Sequence, residues 1–214
     1  MTQVPEWFTN AKLGIFIHYG IYAVGDVSES WSFYHNTISY EDYMKQIDGF
    51  TCEKFDADKW ADLIKKSGAK YAVLTTKHHD GVALFDTKYS DLSTVKKSPY
   101  KKDIVKQYAD ALRKNDIHVG MYYSLIDWSH PDYATVYENG VVPEDLSSVN
   151  KYTSPTDGKQ DEEAWARFVE FNKNQMGEVL GNYGKVDLLW FDGDWERSAK
   201  QWGLPELKDY LKSF

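Results

Sequence analysis

What most constrains this chain is how four short apolar runs end. Ile15-Phe16-Ile17 leads into His18-Tyr19-Gly20, and Val73-Leu74-Thr75-Thr76 into Lys77-His78-His79-Asp80-Gly81. Val119-Gly120-Met121 leads into Tyr122-Tyr123-Ser124, and Val186-Asp187-Leu188-Leu189-Trp190-Phe191 into Asp192-Gly193-Asp194-Trp195-Glu196. Apolar runs of this length suit buried strands of a parallel sheet. Each ends in acids, imidazoles or aromatics rather than plain turn sequence, so each strand tip delivers chemistry into one shared site.

The segments between the runs read as helices. Asp56-Ala57-Asp58-Lys59-Trp60 opens one with Trp60, Leu63 and Ile64 on a common face and Gly68 as its cap. A second, from about Asp103 to Lys114, repeats Ile104, Tyr108 and Leu112. A third, from about Glu162 to Leu180, presents Trp165, Phe168, Met176, Val179 and Leu180 inward, and a last one starts near Pro205. A short helix is expected from Tyr40 to Ile47, and the longest connection runs from Leu125 to about Gln160. Connections after strands are long and those after helices short.

Strand and helix thus alternate four times, which implies a parallel sheet with right-handed crossovers and an active face at the strand C-termini. A doubly wound sheet fits less well, because no glycine-rich phosphate turn follows any strand. A complete eight-stranded barrel needs about 250 residues. The fold class is therefore α/β, a parallel (β/α)4 half-barrel resembling the first half of a TIM-type (β/α)8 barrel, in a single catalytic-type domain over residues 1–214. The hydrophobic fraction of 42% is ample for its core.

A net charge of −8, with basic pairs only at Lys96-Lys97 and Lys101-Lys102, argues against nucleic acid or an anionic membrane as partner. A small neutral ligand fits better, and the 8 Trp and 16 Tyr offer flat faces suited to the C–H faces of sugars. The single cysteine, Cys52, excludes an intrachain disulfide and a cysteine-based zinc site. Met1 to Trp7 lacks a charged-then-apolar leader pattern, so the compartment stays open between cytoplasm and, after processing, periplasm or exterior.

Asp192 is the strongest catalytic candidate, ending the most apolar run beside Gly193-Asp194-Trp195-Glu196. His78 and His79 are adjacent, so on an ideal strand their rings point to opposite faces. No metal is expected, since two neutral imidazoles can bond ligand hydroxyls without an ion. Of Tyr122 and Tyr123, alternation turns one inward and the other to the outer layer.

Taken together, His18, His78-His79-Asp80-Gly81, Tyr122-Tyr123-Ser124 and Trp190-Phe191-Asp192-Gly193 resemble the glycoside hydrolase family 29 α-L-fucosidases. The match extends to Trp7-Phe8 through Gly20, to Trp60-Ala61-Asp62-Leu63, to the run from Ala69 to Gly81 and to Leu112-Arg113-Lys114. It covers nearly the whole chain.

The resemblance implies a retaining exo-hydrolase that removes terminal α-L-fucose from glycans through a covalent glycosyl-enzyme, without a cofactor. Position by position, Asp192 matches the nucleophile, and His18, His78, His79 and Tyr122 match residues that hydrogen-bond fucose. Trp31 matches the aromatic of the family's Glu-Trp motif, and Trp190 stands with the substrate-binding set. Just before Trp31, where many members have glutamate, this chain has Ser30, with Glu29 one place earlier. The general acid/base is unmatched, and Glu29, Asp194 and Glu196 are the candidates the chain itself offers. Two further expectations follow. The chain is a homo-oligomer, most simply a dimer, that covers the open side of the half-barrel and completes the site. The rivals are a catalytically silent fucose-binding half-barrel and an unrelated barrel hydrolase acting on another sugar.

Overall fold

The structure is a computed structural model and describes residues 4–133 and 161–214. The expected connection from Leu125 to Gln160 therefore lies largely outside the described residues. A short helix α1 (Glu6–Asn10) precedes strand β1 (Gly14–Ile17), after which α2 (Trp31–Tyr34), α3 (Tyr40–Lys45) and α4 (Ala57–Ser67) lead to β2 (Tyr71–Lys77). Then follow α5 (Thr94–Lys97), α6 (Ile104–Lys114), β3 (His118–Ser124), α7 (Glu162–Gly181), β4 (Leu188–Asp192) and α8 (Leu204–Leu211). The strands form one sheet in the order β1-β2-β3-β4, and every pair is parallel. This is a (β/α)4 half-barrel.

The three long helices between strands begin in the same way. Asp56, Asp103 and Asp161 each sit one residue before their helix and accept from the backbone N–H of Lys59, Lys106 and Ala164. Each cap stabilises its helix by about 1 kcal/mol. Gly68, with φ of +85°, ends α4 in the left-handed conformation. The buried face of α4 is carried by Ala61 and Ile64, whereas Leu63, expected to share it, is 57% exposed. The burial stripe runs along 57, 60, 61 and 64, and Leu63 falls outside it. Leu180, also expected inward, is only partly buried, because α7 turns Asn172 and Gln175 into the sheet instead.

The core lies between the outer face of the sheet and the helices. Ala72, Leu74, Val119 and Met121 pack there with Ile64, Tyr108, Leu112 and Met176. The inner face is different. The register aligns Phe16, Val73, Gly120 and Leu188 in one layer and Thr75, Tyr122 and Trp190 in the next. β4 was expected to be a buried strand, but it is an edge, and its Trp190 and Phe191 are 48% and 39% exposed. Phe16 on β1, at the opposite edge, is 40% exposed. A half-barrel leaves its lining open where the remaining strands of a closed barrel lie, and that is why an apolar run does not imply burial here.

Candidate active site

The tips of all four strands converge. Asp192 ends β4 in register with Ser124 of β3, so its side chain shares the inner face with Tyr122 and Trp190. Tyr122 donates its hydroxyl to Asp192 Oδ2 at 2.7 Å, and the backbone N–H of Gly193 reaches Oδ1 at 3.0 Å. Gly193 has φ of +80°, and a Cβ there would stand 2.8 Å from Ile126 Cγ1. Only glycine allows so close a turn after the carboxylate.

His79 Nε2 lies 3.9 Å from Asp192 Oδ2. Burial pushes the His79 imidazole down to about 4, overriding the opposite pull of Asp192, so the ring is neutral near pH 7 and the contact is not an ion pair. Burial, then the neighbouring His79 and His18, hold His78 well below the usual histidine range as well. The two rings were expected on opposite faces, yet their centroids are 4.3 Å apart. β2 ends at Lys77, and the chain turns at Gly81 with φ of +76°, so strand alternation no longer governs them. His18, exposed at the tip of β1, stands edge-on to His78 with centroids 5.5 Å apart.

Aromatic rings wall the other side. Trp31 meets His79 edge-on at 5.6 Å and stacks on Trp195 at 6.2 Å, and Trp195 meets His79 edge-on at 5.7 Å. Trp190 projects beside Phe16 on the open inner face, at 5.4 Å. Tyr123 takes the outer layer, its hydroxyl against Asn172 and Gln175 of α7.

The other acids occupy unlike places. Glu29 is partly buried in the first loop, close enough to act on Tyr22. Asp194 is exposed, and its carbonyl accepts from the Trp202 indole. Glu196 is turned into the core, 5% exposed, where it accepts from the Tyr133 hydroxyl and the Trp128 indole. Burial raises its carboxyl to about 6.

Beneath the site lies a buried ion pair that sequence reading missed. Lys77 Nζ is 3.2 Å from Asp127 Oδ2 and 3.2 Å from Asn172 Oδ1, and it sits over the Tyr123 ring at 4.5 Å. Trp128 N bonds His79 O at 2.8 Å, so this pair ties the β2 and β3 tips together. Ser30, Tyr43 and Ser124 contribute hydroxyls, and nothing in their local sequence marks them. Trp195 was visible only as a neighbour of Asp192. Among the described residues, no group of three or more His, Cys, Asp or Glu is placed to hold a metal ion, and no helix is long and apolar enough to cross a membrane.

A parallel βα sheet with a carboxylate, imidazoles and indoles at its strand C-termini defines a barrel-type carbohydrate site. The family model for alpha-L-fucosidase matches residues 1–213, and the chain belongs to that family. It is 31% identical over 223 residues to tissue alpha-L-fucosidase from Bos taurus, covering 97% of this chain and 43% of that protein. Among solved structures, alpha-L-fucosidase isoenzyme 1 from Paenibacillus thiaminolyticus matches with a TM-score of 0.81 at 36% identity, covering 97% of this chain and 47% of the other. An alpha-L-fucosidase from Bacteroides thetaiotaomicron, trapped as a covalent intermediate with 2-fluoro-fucosyl fluoride, matches with a TM-score of 0.77 at 32% identity, over 95% and 46%. The chain thus spans less than half the length of these relatives.

Proposed function

We propose that residues 1–214 are one domain, the nucleophile-bearing half of a retaining α-L-fucosidase acting on terminal α-L-fucosides of glycans. Asp192 attacks the anomeric carbon, the bond from that carbon to the leaving oxygen breaks, and a proton reaches that oxygen from a general acid. Water then cleaves the fucosyl ester on Asp192. Tyr122 orients the carboxylate, and His18, His78 and His79 bond the sugar hydroxyls. Trp31 and Trp190 supply apolar faces.

The observation that carries this reading is the single constellation of Tyr122 Oη at 2.7 Å and His79 Nε2 at 3.9 Å around Asp192 Oδ2. The covalent intermediate of the Bacteroides relative supports the same route.

The acid is the open element. A retaining pair needs carboxyls about 5 to 5.5 Å apart, and Glu196, bonded to Tyr133 and Trp128, is turned away into the core. We infer that the acid comes from a second copy in a homo-oligomer, most simply a two-fold dimer. The half-exposed Phe16 and Trp190 favour this, since they give the inner face an apolar surface to cover.

Turnover of an aryl α-L-fucoside tests the activity, because a good leaving group needs little acid assistance. Fucose binding without such turnover would favour a silent binding domain. Sedimentation at low micromolar concentration tests the assembly: a dimer is expected, and a 24.8 kDa species that hydrolyses natural fucosides would overturn it.

A further inference from the structure

Both adjacent histidines bind a serine hydroxyl through Nδ1, and in each case the protons can be placed by following the bonds to a fixed end. At His79 the end is a carbonyl. Ser124 Oγ donates its one proton to Ile126 O at 2.6 Å, so its 2.6 Å contact with His79 Nδ1 is one it accepts. The proton is therefore on Nδ1, and Nε2 carries a bare lone pair on the Asp192 side. Two acceptors face each other there, and a donor in the cleft is attracted to both.

At His78 the end is a carboxylate. Asp80 Oδ2 accepts from the Tyr43 hydroxyl at 2.6 Å, and Oδ1 is taken by the backbone N–H of Val82 at 2.9 Å. Having given its proton to Asp80, the Tyr43 oxygen accepts from the Ser30 hydroxyl. Ser30 in turn accepts from His78 Nδ1–H at 2.5 Å. Tyr43 and Ser30 are fully buried, and Asp80 and His78 are 2% and 5% exposed, so bulk water has no access to reverse the chain.

We propose that Ser30, Tyr43 and Asp80, together with Ser124, are positioning residues that hold His78 and His79 as neutral Nδ1–H imidazoles with Nε2 open as an acceptor. Resting on the fucoside reading above, this assigns the ligand's chemistry: two hydroxyl donors on a neutral polyol. A ligand whose hydroxyls at those positions are methyl ethers keeps its acceptors, loses its donors, and is rejected.

The test is the tautomeric state of both rings in the ligand-free chain, read from long-range proton–nitrogen correlation spectra at pH 7, with fucose affinity measured in parallel. Wild type is expected to show protonated Nδ1 and pyridine-type Nε2 at both histidines. Tyr43→Phe frees the Ser30 hydroxyl to donate to His78, so His78 shifts to Nε2–H, His79 is unchanged, and fucose binds at least tenfold more weakly. Ser30→Thr keeps the hydroxyl and the wild-type state, a result that mere packing does not require. Nε2–H or a doubly protonated ring in wild type, which needs no variant, overturns the proposal, as does a His78 tautomer unmoved by Tyr43→Phe. Expected tautomers without fucose binding uphold the relay and overturn only the fucoside reading.

Discussion

Tyr122 and Asp192 meet at 2.7 Å, phenol to carboxylate, across the β3–β4 pair. The bond fixes one carboxylate oxygen and leaves the carboxyl a third exposed toward the open face. Tyr122→Phe removes a hydrogen bond to a charged group, worth about 1.5–3 kcal/mol. The expected result is a roughly 10- to 100-fold loss of kcat/KM on an aryl fucoside. Unchanged kinetics would separate the phenol from the reaction.

Acid should act on His79 far below the ordinary histidine range. Its pKa falls from 6.5 in the unfolded chain to about 4 in the folded one, so its neutral form contributes stability that is present above pH 6.5 and lost as pH falls through about 4. Fucose affinity is expected to hold from neutral pH to about 5 and decline nearer 4, as followed by NMR titration of the ring. A midpoint near 6.5 would contradict the buried neutral imidazole.

The ion pair of Lys77 and Asp127 is fully enclosed, with side-chain exposures of 0% and 4%. Lys77→Met leaves a buried carboxylate without its cation and should cost about 3–5 kcal/mol in chemical denaturation. The double replacement Lys77→Met with Asp127→Leu should recover much of that loss. Equal instability of single and double variants would show that the pair contributes little.

Glu196→Gln should leave turnover of an aryl fucoside and of a natural fucoside within about twofold of wild type, since the side chain faces Tyr133 and Trp128 in the core. A selective loss on the natural substrate, with the aryl substrate spared, would make Glu196 the acid after all.

The sequence made the sheet legible because its strands are apolar and their tips are not, and because aspartates stand at the starts of α4, α6 and α7. Asp192, Tyr122 and the histidines were visible as those tips. Trp190 was visible but misplaced in environment, since an apolar run does not reveal that its sheet is open on one face. The pairing of His78 with His79 was hidden by the end of β2 at Lys77, where alternation stops. Ser30, Tyr43 and Ser124 gave no signal, because a hydroxyl becomes a positioning group only through partners 48, 37 and 45 residues distant along the chain. The Lys77–Asp127 pair was hidden for the same reason, its members being separated by 50 residues.

The central claim, that Asp192 is the nucleophile, is tested most directly by covalent trapping. Fluoride leaves without protonation, so 2-fluoro-fucosyl fluoride reports on the nucleophile whether or not a general acid is present. After incubation and proteolysis, mass spectrometry is predicted to find the 2-fluoro-fucosyl group on the peptide containing Asp192, and to find none in Asp192→Gly. A label on Glu29, Asp194 or Glu196, or an unlabelled protein that still binds fucose, would contradict the account.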